Sequence, residues 1–190
     1  VKLGGLERQK TELLELNNLI LLGCGTSYFA GMCGIKYLKD LCQFNSIQLI
    51  DGAEFQLNDI PNNGKTGLIL LSQSGETKDL HRCLELCRDI DLMTIGVVNV
   101  VDSLIAREVD CGCYLNAGRE VGVASTKSFT SQVIILSMMA IWFAQIHDIN
   151  LQKRKKHIRD LRKLYLDIES ILKNNDINNL LVLFENKNNC

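Results

Sequence analysis

A chain of 190 residues carrying 21 Lys and Arg against 22 Asp and Glu, net charge −1, has room for one core domain of about 150 residues plus an appendage. The near balance of charges excludes a broad nucleic-acid-binding face, which needs an excess of cations. The longest apolar run, Val133 to Ile146, falls short of the about 20 residues that span a bilayer, and reads as a core helix.

In chain order, Leu19 to Leu22 forms a first strand, followed by Gly23-Cys24-Gly25-Thr26-Ser27 and a helix through Leu41. Ile47 to Ile50 reads as a second strand, Leu68 to Leu71 as a third and Met93 to Val98 as a fourth, with a helix from Thr77 to Ile90 between the last two. That helix places Leu80, Cys83, Leu84 and Cys87 on one face. A short fifth strand follows around Cys111 to Leu115. A loop, Asn116 to Ser125, then leads into a long helix from about Thr126 to Ile146. Strands alternating with helices predict an α/β fold, a doubly wound parallel five-stranded sheet flanked by helices. Beyond about residue 150, Ile158, Leu161, Tyr165, Ile168 and Leu172 recur at helical spacing. The basic run Lys153 to Arg159 is therefore read as the solvated face of a C-terminal helical extension. Asn-rich turns at Asn174-Asn175 and Asn178-Asn179 punctuate a further segment ending at Phe184.

Eight cysteines raise the question of disulfides or zinc. Seven of them fall mostly within apolar segments, no signal peptide precedes them and no C-x-x-C pair is present, so they read as reduced thiols, with no metal site assigned. The chain begins at Val1 rather than Met, which reads as a piece of a longer protein.

The run Leu68-Ile69-Leu70-Leu71-Ser72-Gln73-Ser74-Gly75-Glu76-Thr77 is the most informative stretch. Four apolar residues suit a strand covered on both faces, Gly75 permits a tight turn, and a helix opens immediately afterwards. Unpaired N–H groups and the positive dipole end of that helix favour an anion. Ser72, Gln73, Ser74 and Thr77 surround it with neutral donors, which suits a phosphate monoester. The plain alternative is that these residues only cap and turn the chain. The tetrapeptide Leu-Ile-Leu-Leu occurs at 19 to 22 and again at 68 to 71, each time followed by small hydroxyl residues and a helix. Parallel strands would bring Thr26 and Ser27 to the same carboxyl-edge crevice as Ser72 to Thr77. Gly23-x-Gly25 has a dinucleotide-binding flavour and Asp51 lies at a suitable distance, but Tyr28 stands where the third glycine belongs, and no NAD site is assigned.

In the loop Asn116 to Lys127, Ser125 is a candidate N-cap and the Val123 backbone, flanked by Gly122 and Ala124, is free to approach a ligand. Arg119, Glu120 and Lys127 are candidate polar contacts, or ordinary surface charges.

Cys24-Gly25-Thr26-Ser27-Tyr28, Leu71 to Thr77, and Asn116-Ala117-Gly118 with Gly122 to Lys127 together resemble the sugar isomerase (SIS) domain of the glucosamine-6-phosphate synthase family, the glutamine:fructose-6-phosphate amidotransferases. The match runs from about Leu3 to Ile146. The resemblance implies that Ser72, Gln73, Ser74 and Thr77 hold the phosphate of fructose 6-phosphate, that Thr26 and Ser27 help, and that Val123 and Ser125 lie near the sugar. It implies amino-sugar (hexosamine) synthesis in the cytoplasm, in which ammonia from glutamine is added to the ketose and a proton shift yields glucosamine 6-phosphate. No cofactor or metal is required, and a homodimer forms through the isomerase domain.

Residues 1–150 then correspond to the first SIS domain and 151–190 to a helical linker toward a second isomerase domain. The family's glutaminase cysteine and the Glu, His and Lys of the isomerisation have no counterpart here, so no residue is assigned a catalytic role. His81, His147, His157 and Cys24 do not match the family's reacting groups. The expectation is a fragment that binds substrate without turning it over. A sugar-phosphate-sensing regulatory module is the alternative. A stand-alone isomerase ranks last, because Glu54, Glu76 and Glu120, the carboxylates near the crevice, lack a paired histidine.

Overall fold

Eight of the residues in the two Leu-Ile-Leu-Leu segments have no exposed surface at all, and each is worth about 1.5–3 kcal/mol of burial. In the computed structural model of the chain, which describes residues 1–90, 92–122 and 125–174, they form the middle of a five-stranded sheet. β1 (Leu16–Gly23), β2 (Ser46–Asp51), β3 (Lys65–Ser72), β4 (Met93–Val98) and β5 (Cys111–Tyr114) lie in the order β2-β1-β3-β4-β5, with every pairing parallel. The five strands, the order and the flanking helices are those of the doubly wound fold expected from the alternating pattern.

Helices cover both faces. Ile20, Leu22, Leu68 and Leu70 pack with Leu80, Cys83, Leu84 and Ile105 from α4 (Lys78–Cys87) and α5 (Leu104–Glu108). The alternate side chains of the same strands point the other way, toward α3 (Thr26–Leu41), with α6 (Lys127–Ile146) packed along α3. Two short helices, α1 (Gly4–Glu7) and α2 (Lys10–Leu14), precede the sheet, and Trp142 of α6 is tied to α1 by a 2.9 Å bond from Nε1 to Glu7. α1, α2, α5 and a 3-10 turn at Leu57–Asp59 were not expected, because elements of three to five residues complete too little of a helical period to be read from spacing.

Other boundaries moved. α4 spans Lys78–Cys87 rather than Thr77 to Ile90. α6 has 20 residues and is long and apolar enough to cross a membrane by length and composition, so the shortness of its apolar run is not what distinguishes it. Burial of Leu136, Met139, Ala140, Ile141, Trp142, Phe143 and Ala144 marks it as a core helix. The chain divides into two compact units, Val1–Arg154 and Lys155–Cys190. The sheet and its helices form the first. The second contains the greater part of α7 (Leu151–Asn174), whose Tyr165, Leu166, Ile168, Ile171 and Leu172 are exposed. Of the Asn-rich turns expected further on, Asn174 is the last residue of α7, while Asn175, Asn178-Asn179 and Phe184 lie outside the described residues.

Close approach of α3 to α6 depends on Gly34. A Cβ there would sit 2.6 Å from Leu136 Cδ1 and 3.0 Å from Leu136 Cβ, so the side chain of Leu136 cannot simply swing away. Replacing Gly34 by Val is expected to lower the unfolding free energy by about 1–3 kcal/mol, as overpacking does. Urea denaturation would show this, and an unchanged midpoint would mean that the two helices do not meet at this glycine.

Candidate functional site

β1 pairs with β2 on one side and β3 on the other, which makes the β1/β3 boundary the topological switch point, where open α/β sheets bind ligands. Gly23 pairs with Leu71, so the loops leading into α3 and α4 leave the sheet almost level with one another. The two loops that carry the singled-out hydroxyl residues therefore lie at the same carboxyl edge of the sheet.

The loop after β3 is built around Ser72, which is 1% exposed. Its Oγ accepts a 2.9 Å bond from the N–H of Gly75 and lies 2.9 Å from Thr77 Oγ1. Gly75 has φ +69°, and a Cβ on it would fall 1.9 Å from the buried Ser103 Oγ, a position only glycine can occupy. The outer side is fastened by three bonds. Asn99 N–H donates to Gln73 O at 3.2 Å, Ile105 N–H to Gly75 O at 3.0 Å, and Leu104 N–H to Glu76 Oε1 at 2.8 Å. Ser74 Oγ accepts from Glu76 N–H at 3.1 Å, a local turn bond, while Gln73 keeps its side chain partly exposed.

Proton counting decides what the pair Ser72/Thr77 presents. Two hydroxyls carry two protons, and the bond between them uses one. Since Ser72 Oγ already accepts from Gly75, whichever hydroxyl donates to the other, one proton remains for an outside acceptor. Thr77 occupies the N-cap position of α4 yet makes no side-chain capping bond. The capping role considered for it is thus not the one it fills, and the first N–H groups of α4 have no side-chain acceptor there.

α3 starts in the same way. Its N-cap is Gly25, which has no side chain to cap with, and Thr26 is partly exposed on the first turn. Ser27, 7% exposed, accepts a 2.9 Å bond from Gln132 Nε2 of α6. Two helix N-termini, each a source of partial positive charge, thus open on the crevice among neutral hydroxyls.

The third loop is organised differently from expectation. Asn99 clamps it, donating from Nδ2 to Gly118 O at 2.8 Å and accepting from Ala117 N–H at 2.9 Å. Glu120 accepts from Thr126 N–H at 2.7 Å, Thr126 Oγ1 at 3.0 Å, Ser128 Oγ at 2.5 Å and Ser125 Oγ at 3.3 Å. Ser125 is therefore not the cap of α6. Thr126 is the N-cap residue, and the Glu120 carboxylate serves the helix start, because an anion there satisfies more donors than one hydroxyl can. Those bonds, the one from Ser128 foremost, pull the Glu120 carboxyl down to about 2. Lys127 Nζ donates to Arg119 O at 2.7 Å. Val123 lies outside the described residues.

No nucleophile or acid–base pair faces the crevice among the described residues. Burial, followed by the charge of Asp51, raises the Cys24 thiol, and burial pushes Cys83 up to about 12. The Asp51 carboxylate accepts from Ala53 N–H at 3.0 Å. His81 faces Glu108 at 3.2 Å and Glu85 at 3.8 Å, both on α4 and α5 rather than in the loops. The residue missed in the sequence is Gln132: it lies 105 residues from its partner Ser27, in a helix most of whose buried residues are apolar. A groove of about 820 Å³ lined by Lys2, Arg8, Asp110, Tyr114 and Asn116 contains none of the Ser72 to Thr77 loop.

Two outcomes are expected. Gly75→Ala forces a strained φ and a collision with Ser103, costing about 1–3 kcal/mol; a melting temperature equal to wild type would contradict the loop geometry. The lowered pKa of Glu120 means its stabilising contribution is complete above about 4.5 and fades as pH falls through about 2. Urea unfolding followed across that window should show a pH-dependent component in the wild type that Glu120→Gln lacks.

The SIS domain family matches residues 12–142. A probable glutamine–fructose-6-phosphate aminotransferase (isomerizing) of Acanthamoeba polyphaga mimivirus is 44% identical over 181 residues, 92% of this chain and 29% of that protein. Glutamine–fructose-6-phosphate aminotransferase (isomerizing) 2 of Homo sapiens is 39% identical over 173 residues, 90% of this chain and 25% of that protein. The C-terminal domain of glucosamine-fructose-6-phosphate aminotransferase from Francisella tularensis superposes with a TM-score of 0.84 at 26% identity, covering 95% of this chain and 51% of that one. The chain thus spans between a quarter and a third of the curated relatives' length and about half of that solved domain. It belongs to the SIS domain family.

Proposed function

We propose that this chain is the first SIS half of the isomerase region of a glutamine–fructose-6-phosphate aminotransferase, and that its crevice holds the phosphate of fructose 6-phosphate. The observation that carries the reading is the pairing of two N-termini, neither capped by a side chain, with a Ser72/Thr77 hydroxyl pair that keeps one proton for an outside acceptor at the switch point. A phosphate monoester dianion accepts hydrogen bonds at three oxygens and donates none, which is the complement of that donor set.

In this reading the backbone N–H groups at the start of α4, with Ser72, Gln73, Ser74 and Thr77, surround the phosphate. Thr26 and Ser27 close the crevice from the β1 side. Val123 and Ser125 stand toward the sugar, Ser125 with its hydroxyl already directed at Glu120. Amination and isomerisation fall to the remainder of a longer protein, in keeping with the aminotransferase names of the relatives and the fraction of their length that this chain spans. A cytoplasmic homodimer assembled through the isomerase domain completes the proposal. A sugar-phosphate sensor would use the same cradle, and the relatives' names favour the synthase.

Calorimetry on the 190-residue chain tests it. Fructose 6-phosphate should bind and fructose should not. Ser72 holds the loop together, so the informative variant leaves it in place: Ser74→Ala combined with Thr77→Val should weaken binding about tenfold or more, the loss of one to two hydrogen bonds to a charged acceptor, with little change in melting temperature. Unaltered affinity would return the hydroxyls to turn formation. Glucosamine 6-phosphate formed by this chain alone from fructose 6-phosphate and ammonia would refute the assignment of the chemistry elsewhere.

A further inference from the structure

Gln132 is fully buried, and its amide has a single partner in the described structure: Nε2 donates to Ser27 Oγ at 2.9 Å, while Oε1 is buried without one. An apolar residue would fill this position in α6 without leaving a polar atom unsatisfied, a cost of about 1–3 kcal/mol. The amide's orientation follows from the same cost. Turned over, it would place its whole NH2 group in the unpartnered space, and buried orphan donors are rarer than under-satisfied carbonyls. Gln132 therefore gives a proton to Ser27 rather than taking one.

A serine hydroxyl that accepts has its own proton to give. Ser27 is on the first turn of α3, which follows β1 at the switch point, and it is 7% exposed. We propose that Gln132 is a positioning residue that, by donating to Ser27 Oγ, leaves the Ser27 hydroxyl proton free to donate toward the bound sugar phosphate. This rests on the sugar-phosphate reading above. It also gives the two loops a common feature: on the β3 side Gly75 N–H donates to Ser72, on the β1 side Gln132 donates to Ser27, and each side keeps one hydroxyl proton for an oxygen acceptor.

The test is a double-mutant cycle on fructose 6-phosphate binding by the 190-residue chain. Gln132→Met, similar in shape, should raise the Kd about five- to tenfold, the worth of one oriented hydrogen bond, and should change nothing further in a Ser27→Ala background. Equal weakening in both backgrounds, or no weakening, would overturn the role while leaving the sugar-phosphate reading intact. A wild-type chain that binds no fructose 6-phosphate would overturn both. If Gln132→Met does not fold, the wild type labelled with 15N carries the test. Ligand should shift the Gln132 side-chain amide resonances, Ser27→Ala should abolish the shift, and resonances unmoved in the wild type would refute the proposal.

Discussion

The pairing of β1 with β3 is the contact on which the site depends. Both strands are apolar and buried on both faces, so a sliding register would not be punished by exposing a hydrophobic face in the way it is in a half-buried sheet. Polar residues at the strand starts pin it instead. Asn18, 2% exposed, donates from Nδ2 to Asn63 O at 2.7 Å and accepts at Oδ1 from Ser46 Oγ at 3.1 Å, tying β1 to β2 and to the segment entering β3. A one-residue slip would break these bonds inside the protein. With the register held, Gly23 and Leu71 end their strands side by side and the two hydroxyl loops share one crevice.

Neutral donors suit this position for an electrostatic reason. Helix N-termini supply partial positive charge without a side chain that must be desolvated, and hydroxyls on the floor cost little to bury when each is already engaged by a protein N–H. Ser72 and Ser27 are nearly inaccessible and both accept from such donors. Lysines at these two points would bring full charges into a site whose walls are apolar strands. In the proposed reading, the arrangement recognises an anion by many moderate, directional contacts, and its selectivity comes from hydrogen-bond polarity more than from net charge.

The strands and the hydroxyl loop were legible because their signals are local: a run of four apolar residues, a glycine, a change of period at Leu80. The loops that carry Thr26, Ser27 and Ser72 to Thr77 leave the same edge of the sheet, since two parallel strands must deliver their following loops to one edge. What was not legible depended on partners far apart in the chain. Gln132 reads as one of several polar residues scattered along α6 until Ser27 is seen against it. Ser125 has the composition of a cap, and only the fold of the loop brings Glu120 around to take the helix start from it. The turns at α1, α2 and α5 are held by tertiary contacts such as Trp142 to Glu7, which outweigh propensities too weak to be read in so few residues.

The carboxylates around the crevice explain why binding and proton transfer are separable here. An isomerase needs a base whose proton affinity lies near neutrality, and that requires a carboxylate raised by burial or by a like charge. Glu120 is driven the opposite way, to about 2, by the donors it satisfies. Glu76 spends an oxygen on Leu104 N–H and Asp51 one on Ala53 N–H. Each holds a loop in place, and a carboxylate that gave up that role to act as a base would loosen the wall it supports. In the proposed reading, these bonds assign the carboxylates of the three loops to holding the loops, and a group that moves a proton on the sugar comes from outside them.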